Sequence, residues 1–387
     1  MRSKAWLSGL LISLVLGLGG CSTVSSWFGS SGKPAVKPAD LVSFKASVGL
    51  TRAWEARVGA SGPYVFSPAT DGQAVYAAGQ DGRLVKLDLA SGKELWRAET
   101  GQALSAGVGV GEGLVLVGTP KGEVLALNAK DGSSAWKAKL TGEVLIPPVA
   151  TNGLVAVRTN DGSVHALDSA SGQVRWVATR RLPALTLREQ SHLLLGKDAL
   201  YVGHAGGRLS ALALNNGAPL WEGNVALPRG ATELERIADV AGPMALDDRR
   251  LCAAAYQGRV ACFDTTRGAG IWARDISALR GVAMDERLVY VADEMGAVLA
   301  FDKQRGTNPW KQDKLRDRRL SSPVAVAGRF VAVGDYQGYV HLLTVDEGAF
   351  AARIATDGSA ISGVMLPLRA GLVVQTGNGA VQALKIE

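Results

Sequence analysis

Asp161-Gly162-Ser163-Val164-His165-Ala166-Leu167-Asp168, closing on Trp176, decides the fold because it is one of a series. The same phrase stands at Asp81-Gly82-Arg83-Leu84-Val85-Lys86-Leu87-Asp88 with Trp96. It returns at Lys121-Gly122-Glu123-Val124-Leu125-Ala126-Leu127-Asn128 with Trp136. The three tryptophans fall 40 residues apart. Repeats near 40 residues, built of short strands and Gly turns, are the signature of propeller blades. The repeat glycines are Gly82, Gly122, Gly162, Gly207, Gly258, Gly296, Gly338 and Gly379, which makes eight units. Trp follows 14 residues later in the first six, at Trp96, Trp136, Trp176, Trp221, Trp272 and Trp310. The seventh has Ala352 in that place. The eighth runs out of chain, and Thr51-Arg52-Ala53-Trp54-Glu55 supplies its missing strand from the other end. The expected fold is all-β: an eight-bladed β-propeller of four-stranded antiparallel blades, closed by pairing of the N- and C-terminal strands. Closure removes the unpaired edges that an open array would leave.

Within the first unit the pattern predicts strands over about 65–70, 73–79, 83–88 and 94–98, separated by Asp71-Gly72, Asp81-Gly82 and Ser91-Gly92 turns. Because the tryptophans follow the structural period, they ring the molecule and read as wedges between blades. Asp81, Asp88, Asp161, Asp168, Asp264 and Asp302 sit at repeat turns and read as caps.

The domain reading is 1–20 as a leader, 21–44 as an anchor residue plus tether, and 45–387 as the propeller. Arg2 and Lys4 precede an apolar stretch, Ala5 to Leu18, too short to span a bilayer. It ends in Leu18-Gly19-Gly20-Cys21, which resembles the lipobox of bacterial lipoproteins. The resemblance implies cleavage before Cys21 and acyl chains on that residue, enough for stable anchoring. Ser22, in place of Asp, implies sorting to the outer membrane with the propeller facing the periplasm. Residues 22–44, rich in Ser, Gly, Pro and Lys, would reach roughly 70–80 Å when extended.

The net charge of +7 on 387 residues is modest. The arginine clusters at 180–181, 249–250 and 316–319 read as solvated loops, and nucleic acid is not an expected partner. Cys252 and Cys262 flank the Gln257-Gly258 turn and face each other across one hairpin. In an oxidising compartment a cross-strand disulfide is one reading, and two buried thiols are the other. His165, His192, His204 and His341 are scattered and show no metal-ligand spacing. Neither a nucleophile elbow nor a phosphate-binding loop is present. No catalytic residue, metal or cofactor is expected.

The repeat breaks in one region. From Trp to the next repeat Gly the distance is 26 residues after Trp96 and Trp136, 31 after Trp176 and 37 after Trp221. Both longer stretches connect the last strand of one blade to the first of the next, so two adjacent blades carry enlarged loops on one face. Loops that break an economical repeat are usually binding elements. The first holds Leu185, Leu187 and Arg188, an apolar and cationic anchor. The second holds Thr232-Glu233-Leu234-Glu235-Arg236-Ile237-Ala238-Asp239-Val240, in which Leu234, Ile237 and Ala238 predict a short helix.

The blade phrase is similar to that of pyrroloquinoline quinone dehydrogenases, which makes a quinoprotein the alternative reading. Those enzymes stack the quinone on adjacent cysteines and enclose it with large insertions, which this chain lacks. A general periplasmic binding propeller is a further alternative. With the lipobox, the blades, Pro-Ala-Leu-Thr-Leu-Arg at 183–188, the 232–240 segment and Gly-Asp-Tyr-Gln-Gly-Tyr-Val-His at 334–341, the whole mature chain resembles the BamB family. That family's fold and role then become expectations here. The resemblance implies a non-enzymatic scaffold lipoprotein of the outer-membrane β-barrel assembly machinery. Its implied partners are the BamA POTRA domains and other barrel-assembly lipoproteins, with nascent outer-membrane proteins as open candidates. It places the contact loop on Leu185, Leu187 and Arg188 and an acidic contact on Asp239. Ala241 stands where a second acidic residue is usual.

Overall fold

Seven of the eight blades bury their second strand completely, and in the eighth only Arg250 at the strand's start is partly exposed, which places the core between blades rather than inside any one of them. Ala74–Ala78, Leu114–Gly118, Leu154–Arg158, Ala199–Gly203, Leu288–Ala292, Phe330–Gly334 and Gly371–Gln375 are buried at every position. A strand covered on both faces reads as a continuous apolar run instead of an alternating one. The computed structural model describes residues 37–387; the leader 1–20 and Cys21 lie outside the described residues. Eight four-stranded antiparallel sheets follow one another along the chain. Blades 1 to 7 span 69–99, 106–139, 149–179, 194–224, 245–275, 282–312 and 324–355. Blade 8 joins 366–386 to the N-terminal strand Leu50–Arg57. There Trp54 opposes Ala383 and Leu50 opposes Ile386, so the ring closes through both chain ends.

The repeat phrase encodes a contact between neighbouring blades. In seven blades a one-residue bulge sits just before the Trp position, or its equivalent, on the outermost strand. A bulge re-aims the side chain that follows it. Each indole then lies on a glycine of the next blade and donates its N–H to a carbonyl there. Trp54 pairs with Gly92 and Leu89, Trp96 with Gly132 and Ala129, and Trp136 with Gly172 and Ser169. Trp176, Trp221, Trp272 and Trp310 repeat this with Gly217, Gly268, Gly306 and Gly348. The N–H to carbonyl distances run from 2.7 to 3.2 Å. Glycine is required there twice over. Its φ is positive at all seven sites, and a Cβ would lie 2.3–2.9 Å from the ring.

The missing Trp of the seventh unit has a physical reason. The glycine turn that the indole should cover joins the two outer strands of a blade. In blade 8 those strands are the two ends of the chain, so no such turn exists. Ala352 has nothing to dock on. Residues 39–48 fill the wedge instead: Phe44 stacks on Phe350 at 5.2 Å and under Arg353 at 5.0 Å. Ala39, Val42 and Ser47 are hydrogen-bonded to blade 7 or its connection. The packed body therefore begins near residue 39 rather than 45, and a tether running to 44 is corrected accordingly.

The innermost strands are shorter than expected. In blade 1 only Ala69–Thr70 pairs, not 65–70. Pro68 has no N–H, and Ser67 turns its main chain to residues 107 and 108 of the next blade. Near the axis the blades crowd, so these residues bond sideways around the ring. The turn aspartates cap as expected, with Asp88, Asp168, Asp264 and Asp302 each accepting main-chain N–H groups two or three residues on. Cys252 and Cys262 are direct cross-strand partners, with Cα atoms 4.1 Å apart, and are joined in a disulfide.

Trp136→Ala should lower stability by about 3–5 kcal/mol, because it removes a large buried ring. Gly172→Ala, on the other side of the same contact, should also destabilise. Urea denaturation of both single variants and the double should show less than additive loss, since they break one contact. Additivity would mean that the indole and the glycine act independently.

A candidate partner-binding site of two interlocked loops

The connections 180–193 and 225–244 leave neighbouring blades on the same face, here called the loop face, which also carries the turns between the second and third strands. They are joined to each other. Ser191 and Gly242 form a parallel bridge, with the His192 N–H donating to the Gly242 carbonyl at 3.0 Å. Asp239 makes the second link. Its carboxylate accepts the Leu187 N–H at 2.7 Å and the Gly206 N–H at 2.9 Å. Its side chain is therefore spent inside the protein, and the residue is only 3% exposed. In this structure Asp239 is a clamp that sets the path of the 180–193 loop rather than an open acidic surface. Ala241 is buried as well.

Arg158 lies beneath the clamp. It donates to the Ser191 Oγ at 3.0 Å, to the Ser191 carbonyl at 3.3 Å and to the Gly203 carbonyl. Burial pulls its guanidinium down to about 10, while the nearby Asp239 works in the opposite direction. It stays charged at neutral pH. The signal for Arg158 was in the sequence. The last residue of the second strand is Ala78, Gly118, Gly203, Ala254, Ala292 and Gly334 in six blades, so Arg158 and Gln375 are the two exceptions. Both reach a main-chain carbonyl of the next blade.

Leu185 is 42% exposed at the tip of the first loop. Leu187 is half-buried, because its amide is tied to Asp239. Arg188 is exposed but oriented: it donates to Glu143 at 2.9 Å and lies 5.2 Å over the Tyr64 ring. The loop thus crosses the mouth of the central channel. On the far side Arg280 holds both oxygens of Glu189, at 2.7 and 2.9 Å. Burial pushes Glu189 upward, against the pull of Arg280. Below lies a cavity of about 150 Å³ lined by Tyr64, Ser67, Ser105, Gln190 and His192. Burial brings His192 down to about 4, so it is neutral at physiological pH. Glu143, Glu189, Arg280 and Tyr64 escaped the sequence reading, since each lies in a different connection and only closure of the ring brings them together.

The second loop contains one turn and not a helix. Thr232 and Glu235 cap each other reciprocally, at 3.0 and 3.3 Å, and the chain leaves the helical path by Ile237 to deliver Asp239 to its partners. Leu234 consequently points outward, 67% exposed, while Ala238 is buried. The two do not share a face.

The match to known proteins is extensive. The family model described as outer membrane protein assembly factor BamB matches residues 37–102, 80–312 and 295–387. The chain belongs to the BamB family. It is 39% identical over 379 residues to the Bordetella pertussis outer membrane protein assembly factor BamB, covering 98% of this chain and 96% of that protein. The Pseudomonas aeruginosa protein of the same name is 43% identical over 359 residues, with 92% of each covered. The crystal structure of BamB from Moraxella catarrhalis superposes with a TM-score of 0.79 at 28% identity, over 87% of this chain and 99% of that one. The quinohemoprotein alcohol dehydrogenase from Comamonas testosteroni also superposes, with a TM-score of 0.69. It covers 87% of this chain and 76% of its own, at 14% identity, and that likeness concerns the fold alone.

Asp239→Ala should free the contact loop without opening the blades. Hydrogen exchange at the Leu187 and Gly206 amides should rise about 10- to 100-fold, the worth of hydrogen bonds to a charged group. Core amides remote from the loops, such as those of Phe330–Gly334, should be unchanged. Equal loss of protection throughout would show that Asp239 holds up the whole ring.

Proposed function

We propose that this protein is a non-enzymatic scaffold in the assembly of outer-membrane β-barrel proteins. It docks through the 185–188 loop onto the POTRA domains of a BamA-type subunit, in company with the other barrel-assembly lipoproteins. Lipid on Cys21 holds it at the outer membrane, facing the periplasm. Family membership supports the assembly role, and relatives matching nearly the full chain are named outer membrane protein assembly factors. One observation carries the mode of binding: an exposed apolar tip and an oriented cation, Leu185 and Arg188, stand on a loop whose backbone is fixed beforehand by a buried carboxylate. A loop held in its bound shape loses less entropy on docking, and rigid anchors of this kind carry much of the affinity of an interface. At the channel mouth Arg188 pairs with Glu143 and Arg280 with Glu189, which suits a platform rather than a reaction centre.

Leu185→Glu and Arg188→Glu should each weaken capture of the BamA-type partner by roughly 10-fold or more, the scale of a centrally placed anchor. Melting temperature should change little, because the Arg188 ion pair is surface-exposed and such pairs contribute little to stability. Co-purification from mild detergent with the tagged variants and the parent measures the first effect, and calorimetry the second. Undiminished capture by both variants would refute docking through this loop.

A further inference from the structure

The chain enters the propeller by a detour. The Ala39 N–H donates to the Arg316 carbonyl at 2.9 Å, and Arg318 donates to the Ala39 carbonyl at 3.0 Å. Both arginines lie in the connection from blade 6 to blade 7, on the loop face. The chain then descends the outside of blade 7. Arg353 donates to the Val42 carbonyl at 3.0 Å, Phe44 stacks on Phe350, and the Ser47 N–H donates to the Ala351 carbonyl at 2.9 Å. At Gly49, whose carbonyl accepts the Glu387 N–H at 3.0 Å, it has reached the opposite face. The strand Leu50–Arg57 climbs back, ending opposite Ala380 at the loop face. Residues 39–48 thus form a strap, the descending arm of a U.

The strap is held by a buried charge network. Arg318 donates to Asp335 at 2.7 Å and to Gln337 at 2.7 Å. Asp335 also meets His341 Nε2 at 3.0 Å, and Arg353 donates to His341 Nδ1 at 3.0 Å. With Nδ1 accepting, the proton of neutral His341 sits on Nε2 and points at Asp335. The network fixes two guanidinium groups, and each grips a main-chain carbonyl of the strap.

The strap creates two alternative exits. Docked, it makes the chain leave from the loop face beside blades 6 and 7. Released, the chain would leave from Gly49 on the opposite face. We propose that the strap decides which face of the propeller looks toward the membrane, and that it turns the loop face, with Leu185 and Arg188, to the lipid side. The inference rests on the reading that Cys21 carries the lipid anchor. It also shortens the reach, since the chain from Cys21 to Ala39 spans at most roughly 60 Å. The contacted partner domain must then lie between propeller and bilayer, within that distance.

The test uses the full lipidated chain, without partners, in phosphatidylethanolamine and phosphatidylglycerol vesicles carrying an acceptor dye on lipid. A donor is placed on Met295→Cys at the loop face or on Gln304→Cys at the opposite face, both exposed positions of blade 6. Energy transfer should be stronger from 295 than from 304. Replacing 38–48 by a Gly/Ser stretch of equal length should reverse the order. Phe44→Asp, which removes only the ring held between Phe350 and Arg353, should weaken the same contrast if the full replacement does not fold. Equal transfer from both sites in the parent, or an order that survives loss of the strap, would overturn the proposal. Failure of the parent to float with vesicles would instead overturn the lipid-anchor reading beneath it.

Discussion

The ring depends on one contact made seven times: an indole lying on a glycine of the next blade, with its N–H satisfied by that blade's carbonyl. A blade is a small sheet that cannot bury both of its faces alone. It becomes stable only when neighbours cover it, as in any repeat architecture. The Trp is the part of each blade that reaches furthest outward, where the blades splay and space would otherwise be empty. The glycine admits it because a Cβ there would collide with the ring.

The one place where this contact is impossible shapes the rest of the molecule. Closing the ring with the chain ends removes the turn that an eighth Trp would need, and Ala352 is the consequence. The gap is filled by residues 39–48, drawn down the side of blade 7 by Arg318 and Arg353. Closure and chain exit are therefore one structural problem with one solution. The same segment that completes the packing also brings the N-terminal end of the propeller to the face where the enlarged loops stand.

Those loops are set apart by their length and by being bonded to each other. Asp239 and the Ser191–Gly242 bridge turn two insertions into a single rigid ledge, with Arg158 buried as the counter-charge below. The ledge crosses the channel mouth and is fixed at its far end by Arg280. A surface built this way presents Leu185 and Arg188 in a defined geometry. A buried carboxylate can in this way govern a surface it does not itself reach: losing Asp239 would leave Leu185 and Arg188 in place but their positions unspecified.

The period of Gly and Trp, written in the chain, settled the number of blades, the pairing of the termini and the location of the two enlarged loops. These features were legible because they are local and repeated. Each blade states its own turns, caps and buried strand within about 40 residues, and a departure from the repeat shows as a change in spacing. Even Arg158 was visible, as a large charge in a column of Ala and Gly. The sequence could not show where the carboxylate of Asp239 points, nor that Thr232–Arg236 makes one turn and stops. It could not show that Phe44 replaces a tryptophan, or that Tyr64, Glu143, Glu189 and Arg280 meet at one mouth. Each of these is a contact between segments far apart in the chain, and its geometry exists only after the ring has closed and brought distant connections onto a common axis.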